Sequence, residues 1–521
     1  MYLLQPLRMN NGVSGKEVCQ LSYAGKALSG AGLYFVIALV VIYLCFCLYV
    51  GAKSNKKTET IKEYFIANKS IGMFFLFFTC WGSFCGAGNF IGFAGSAAQN
   101  GIDAYWSYFG DAVFGYLVFS WLIAPHLAKF DYFTMPQYIA HRLCGNDTYV
   151  RRISGLASAL CNIAISGIQM RGLAYLLNTF CGLNYYLSLI VAAGVLIVYT
   201  AMGGMSAVVQ TDAIQGILQV IGTVLMICFG VGLMHCDIGW LTSSLREVDA
   251  SLITPFGHLS ARACISGFLT GFFGDLCNPI MWNRAFIAKD SKTASKCFKL
   301  ATILGIVSTG LIMTFGLVAK VYNPEVADQA TYWLVLNKMP YFMVPLMTLC
   351  FMGAIMSTAD THLNAGVANI VCDVIDPQEK MSVAKTLSVS KIACLVAGGI
   401  GLLGAAVFPS ILTLSFFGLT VAGATVFPIF AIGNLLRDKN SKEFRSNLSI
   451  KAVRVGMTVG AVAAILFDLV PSLAAIAGGG IIPGLVCTTV ITLICNQIFK
   501  PEYPIGGTAT VANYAEHQME D

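Results

Sequence analysis

The segment FMGAIMSTADTHLNAG, residues 351–366, sets two adjacent hydroxyls (Ser357 and Thr358), an aspartate (Asp360) and a histidine (His362) into a strongly apolar run. On a helix, Ala354, Ser357 and Thr358 stand at i, i+3 and i+4 and share one face. A backbone carbonyl and two hydroxyls then converge. Hard, neutral oxygens suit a monovalent cation that must bind and leave again, because hydroxyls replace part of its hydration shell without a fixed charge that would trap it. The same hydroxyls can instead return hydrogen bonds to the preceding turn and let helices approach closely. The residues alone leave both readings open.

Two glycine-interrupted stretches can supply the missing ligands. CWGSFCGAGNFIGFAGS carries Gly82, Gly86, Gly88, Gly92 and Gly95, and SGFLTGFFGDLCNPIMWNR carries Gly267, Gly271, Gly274 and Pro279. They lie five apolar spans apart. Interrupted helices at equivalent places in two halves point to a transporter built from inverted repeats, with unwound backbone offering carbonyls to ions and amides to solute. Close packing through small residues is the structural alternative. Within the second stretch, Asp275 precedes Asn278 by three residues. An acid in an interrupted membrane helix costs at least a few kcal/mol and normally faces a cavity or a partner. It can meet a cationic nitrogen or another cation, or pair inside the bundle with Arg171. Asp111 and His362 read as satisfied packing positions, and Trp81, Phe84 and Phe273 as pocket walls. Asp111 and Asp275 stand in similar contexts, YFGDAV and FFGDLC, which raises an intramembrane aspartyl protease as a remote alternative. Its GxGD pattern is not met, since Phe272 stands where the first glycine belongs, and no enzyme is expected.

The elements that must position these groups follow from composition. Of 521 residues, 57% are hydrophobic and 11% charged, with a mean hydropathy of +0.73, far more apolar than a soluble protein with about 25% charged residues. The apolar runs approach the roughly 20 residues a helix needs to cross a bilayer, and the alternation of a β-barrel is absent. The chain therefore reads as an all-α polytopic membrane protein with about thirteen spans: 31–51, 72–98, 103–126, 153–180, 184–202, 212–234, 262–282, 300–321, 341–372, 388–407, 411–435, 452–470 and 475–498. Loops at 53–69, 129–152, 284–299, 380–391 and 437–454, with Lys500, hold roughly two dozen of the 32 basic residues. This bias predicts the N-terminus outside and the C-terminus cytoplasmic, in a plasma or inner membrane. It also explains the net charge of +6 without a nucleic-acid partner. The 18 cysteines show no metal-ligand spacing and read as small apolar packing residues. Residues 499–521 form a polar tail, expected to be cytoplasmic.

Three stretches resemble the sodium:solute symporters, a family that includes glucose, proline, pantothenate, iodide and choline transporters. YTAMGGMSAVVQTDAIQ (199–215) is similar to the family signature joining the fifth and sixth spans, and GAIMSTADTHLNAGVANIVCDV to the ninth-span signature. WNRAFIAKDSKTASK resembles the loop after the interrupted seventh span. The resemblance covers residues 30–500. It implies a LeuT-type core of two inverted five-helix repeats with broken first helices, at 71–234 and 262–435. An extra span at 31–51 follows an extracellular N-terminus (1–30), and two further spans occupy 452–498. It also implies a sodium site formed by Ala354, Ser357 and Thr358 with the carbonyls of Gly82 and Cys85, and places Asp212 at the ion's inner exit. Read from the residues, TDAIQ is also a capping box with Asp212 at the N-cap and Gln215 three residues on. Phe84 replaces a polar residue of several relatives, Asn89 the Gln of sugar carriers, and Gly274 and Asp275 their aromatic gate, so a sugar is disfavoured. The sequence thus predicts a sodium-coupled symporter needing no cofactor, whose solute meets Phe84, Asn89, Asp275 and Asn278. An amino acid or other compound with a cationic nitrogen fits first, a small carboxylate or vitamin second.

Overall fold

A computed structural model describes residues 30–55, 71–202, 205–436 and 447–499 of the chain. Among these the architecture is helical. In chain order the elements are α1 (Ala31–Asn55), α2 (Met73–Phe84), α3 (Ala94–Asn100), α4 (105–127), α5 (Met135–Leu143), α6 (Thr148–Cys181), α7 (Tyr185–Met202), α8 (Met205–Leu233), α9 (Ile238–Val248), α10 (Ala261–Leu276), α11 (Pro279–Ile287), α12 (Ser291–Tyr322), α13 (Ala330–Lys338), α14 (Val344–Ala368), α15 (Val383–Val407), α16 (Ile411–Leu435), α17 (Ile450–Leu469), α18 (Pro471–Ala477) and α19 (Ile481–Ile498). Wide π turns bridge α2 to α3 at Gly88–Phe93 and extend α14 over Asn369–Ile375.

Ten helical segments among the described residues are long and apolar enough to cross a membrane, and two shorter apolar helices, Met73–Gly82 and Tyr185–Ala201, accompany them. The remaining stretch counted from hydropathy, 262–282, is divided into α10 and α11, each shorter than the roughly 20 residues a crossing needs. Several helices also begin earlier than hydropathy suggests. Asp147 accepts a hydrogen bond from the Val150 amide (2.9 Å), so α6 starts at Thr148 rather than 153, and Asp290 accepts from the Thr293 amide (2.7 Å), so α12 starts at Ser291 rather than 300. Hydropathy marks only the part of a helix that lies in lipid, whereas the caps sit in the polar sequence before it.

The solvent-facing logic of a soluble protein is inverted on the outer helices. α15 turns Ile392, Val396, Leu403 and Val407 outward, an arrangement suited to contact with lipid tails rather than water. Inside, α14 packs on α6 and α8, α16 on α6, and α10 on both α4 and α16. Glycines set the closest approaches. A Cβ on Gly110 of α4 would overlap the Phe268 carbonyl of α10, and one on Gly274 of α10 would meet the Leu419 side chain of α16. Because the Gly110 contact is with backbone, it cannot be relieved by a rotamer change. Gly110→Ala is accordingly expected to cost about 1–3 kcal/mol by forcing two helices apart, read as a lower unfolding midpoint of the detergent-purified protein.

Candidate ion and solute site

Both interrupted helices break where the sequence makes continuation unfavourable. α2 ends at Phe84, Cys85 leaves helical geometry (φ −110°, ψ 55°), and the Gly86 carbonyl accepts from the amides of Asn89 (3.1 Å) and Phe90 (3.2 Å). A Cβ at Gly86 would lie 2.5 Å from Thr358 Oγ1 and 2.8 Å from Gln169 Oε1, so only glycine admits both side chains against the gap. The second break falls at Cys277 and Asn278. Asn278 caps α11 by accepting from the Ile280 amide (3.2 Å), with Pro279 in the first helical position, and the Trp282 indole donates to the Leu276 carbonyl at 2.8 Å across the gap. A carbonyl orphaned by the break is thereby satisfied.

Ser357 and Thr358 are buried and face the first break. The Thr358 hydroxyl lies 2.8 Å from the Gly82 carbonyl and 3.0 Å from that of Ala354. It thus bridges two of the oxygens expected to bind an ion and occupies the same ring. Ser357 donates to Asp212 Oδ1 at 2.6 Å, and a Cβ on Gly82 would overlap the Ser357 hydroxyl. Cys85, three residues after Gly82 at the end of α2, is buried, with Ser308 beside its thiol. Four of the five predicted ion ligands, Gly82, Ala354, Ser357 and Thr358, are thus joined by direct contacts.

Asp212 is not an N-cap. α8 begins at Met205, so Asp212 lies in the helix interior and the capping-box reading fails, while Gln215 reaches Tyr43 at 2.8 Å. The carboxylate instead accepts from Ser357 and Thr79 and pairs with Arg284 at 3.5 Å. Arg284 also donates to Thr361 Oγ1 at 2.6 Å. One buried ion pair therefore ties α2, α8, α11 and α14 together next to the predicted ion ring. The charge bias places Arg284 and Arg151 among the loop cations, and the structure corrects both. Each is fully buried, Arg151 binding Asp373 (3.0 Å) and Glu379 (2.9 Å). A basic residue directly after an interrupted span is the signal that could have found Arg284. Nothing in the sequence pattern singles out Thr79, or Gln169, whose Oε1 accepts from the Ala87 amide in the broken segment (2.7 Å).

The predicted solute residues are less concentrated. Asn89 is buried and donates to Thr309 at 2.7 Å, whereas Asn278 donates to Asp275 Oδ1 at 3.4 Å. The Phe84 side chain lies outside the described residues. Arg171 does not pair with Asp275. Its guanidinium binds the carbonyls of Ala405, Phe408 and Pro409 and the Tyr175 hydroxyl, holding the end of α15, where a cation suits the negative pole of a helix. The neighbour of Asp275 is Asp111. His362 is satisfied by Asn162 at 2.9 Å.

A helical membrane bundle with two broken helices, hydroxyls packed into one gap and a buried ion pair behind them is the architecture of a secondary transporter. A solved sodium-coupled sialic acid symporter, in a substrate-bound outward-open state, shares the fold with a TM-score of 0.73 at 17% identity, covering 92% of this chain and 99% of its own. The family model described as "SSF: Sodium:solute symporter family" matches residues 64–442, and the chain belongs to that family. It is similar to the sodium/pantothenate symporter of Haemophilus influenzae, 28% identical over 63% of this chain and 69% of the relative. It is similar also to that of Escherichia coli, 28% identical over 71% and 79%. The chain is thus a membrane symporter that couples solute movement to sodium, and not an enzyme.

Proposed function

We propose that this symporter imports a small organic carboxylate of the pantothenate kind, with sodium held between the two carbonyls of the first break, Gly82 and Cys85, and Ala354, Ser357 and Thr358 of α14. The observation that carries the ion site is the Thr358 hydroxyl spanning the carbonyls of Gly82 and Ala354. An ion seated there would bridge the two helices and favour one arrangement of the repeats, 71–234 and 262–435, over the other. Asp212, on the far side of Ser357, would receive the ion as it leaves. This reading keeps the N-terminus outside and the C-terminus cytoplasmic.

For the solute, the pantothenate symporters matched over most of their length favour a carboxylate. The cationic-nitrogen alternative draws less support, because Asp275 is engaged with Asp111 and Asn278. Neutral amides near the breaks, Asn89, Gln169 and Asn278, offer hydrogen bonds to hydroxyl and amide groups of a solute.

Charge arithmetic constrains the coupling. A sodium ion crossing 100 mV releases about 2.3 kcal/mol and a tenfold gradient adds about 1.4 kcal/mol. Paired one to one with a monoanion, the net charge moved is zero, the potential drops out, and the gradient alone supports about tenfold accumulation. A second sodium restores the potential as a driving force. In proteoliposomes with an inward sodium gradient, radiolabelled pantothenate is expected to accumulate, and collapsing the gradient should abolish this. Sodium-driven uptake of proline or a betaine, with none of pantothenate, would return the cationic-nitrogen reading.

A further inference from the structure

Asp111 of α4 and Asp275 of α10 are brought side by side by glycines on both helices. A Cβ on Gly115, one turn after Asp111, would stand 3.1 Å from Asp275 Cβ and 3.4 Å from Asp275 Oδ2, and Gly271, one turn before Asp275, lies against the Asp111 backbone. The two acids thus share one tightly packed helix contact, and the residues are 8% and 2% exposed. Asp275 Oδ1 faces the Asn278 amide, whereas buried Asp275 Oδ2 has no donor from the protein. Ionised carboxylates only accept. The contact therefore becomes a hydrogen bond only when one oxygen carries a proton.

The surroundings offer no substitute counter-charge. Tyr116 of α4, Cys161 of α6 and Cys277 at the break are the titratable groups around the pair, all neutral in their ordinary state, while α16 contributes Leu419 and Thr420 to the contact with α10. Among the described residues no Lys, Arg or His forms an ion pair with either acid. Two like charges this close do not both ionise.

We propose that Asp111 and Asp275 form a proton-binding site: one proton, shared as an O–H of one carboxyl donating to the other carboxylate, holds α4 against α10 beside the second break. The neutral acid donates while the ionised partner accepts, so the bound pair carries a single negative charge. Loss of the proton to solvent leaves two adjacent negative charges and drives these helices apart next to Cys277 and Asn278. Transport by this chain then requires the proton to be bound and declines on the alkaline side.

Infrared spectroscopy of the purified full-length protein tests the site without any solute. Wild type is expected to show a protonated-carboxyl C=O band at neutral pH that disappears in alkali and is missing from both Asp111→Asn and Asp275→Asn. Bands from Asp212, Asp360, Asp373 and Asp468 are common to all three proteins and cancel in the difference. A difference spectrum without that band overturns the proposal. Sodium-driven uptake gives the second readout. Wild type should lose about tenfold per pH unit beyond its alkaline midpoint, the limiting slope for one proton. Asp111→Asn should lose this decline, because its amide N–H faces Asp275 at every pH. Retention of the wild-type decline in Asp111→Asn likewise overturns it. Because the infrared result needs neither sodium nor a known solute, it stands or falls apart from the assignment of the solute.

Discussion

The double variant Ser357→Ala with Thr358→Ala is expected to raise the sodium concentration for half-maximal uptake by about a hundredfold or more. Each hydroxyl facing a cation contributes about 1.5–3 kcal/mol when its partner is charged, and about 2.7 kcal/mol is two decades of affinity. Both hydroxyls are buried against the first break, so water cannot readily take their place in the variant. The two positions should also separate. Thr358 touches Gly82 and Ala354 directly, so Thr358→Ala alone should account for most of the shift, with Thr358→Ser restoring most of the affinity. Ser357 is engaged with Asp212, so Ser357→Ala should weaken sodium binding and loosen the carboxylate as well. Initial rates of uptake against sodium concentration in proteoliposomes decide the matter. An unchanged sodium half-saturation in the double variant would remove these hydroxyls from the ion site.

Arg284→Ala is the second large effect, expected to lower stability by about 3–5 kcal/mol, because it strands a buried carboxylate without its counter-charge. Arg284 and Asp212 are both fully buried, and the pair meets Thr79, Ser357 and Thr361, so four helices lose a common anchor. Combining it with Asp212→Asn removes the stranded charge. The double variant should therefore be more stable than Arg284→Ala alone, while sodium-driven transport stays impaired in both. Unfolding midpoints of wild type, both single variants and the double variant measure that coupling directly. Strictly additive losses would mean that the pair contributes no mutual stabilisation. Arg284→Lys should recover only part of the stability, since an ammonium reaches Asp212 and Thr361 with less of the planar, forked geometry.

How much of the site is legible in the sequence differs from residue to residue. The helical spacing of Ala354, Ser357 and Thr358 is enough to put them on one face, because an α-helix converts sequence interval into direction. The interruptions at Gly82–Gly88 and Gly274–Pro279 are legible for a similar reason, since glycine and proline report on local backbone preference. Asp212 misleads at that same local level. TDAIQ has the composition of a helix start, but helix interiors tolerate an aspartate when tertiary neighbours satisfy it, and Thr79, Ser357 and Arg284 do so from three other helices. Hydropathy misassigns Arg284 and Arg151 to loops because it weighs charge without knowing what lies opposite. Arg171, read from the sequence as a partner for Asp275 inside the bundle, binds a helix end instead.

By itself, then, the sequence determined that the chain is a helical membrane protein, where its spans lie to within several residues, which two of them break, and which hydroxyls share a face. All of these follow from interactions within one turn or from the match between a run's length and the bilayer. Only the tertiary structure decided that Thr358 meets Gly82, that Arg284 neutralises Asp212, and that Asp111 lies against Asp275. Those partners are 72 to 276 residues apart. Their meeting depends on how whole helices cross, which is set by the sum of many small packing contacts and is written in no single stretch of sequence.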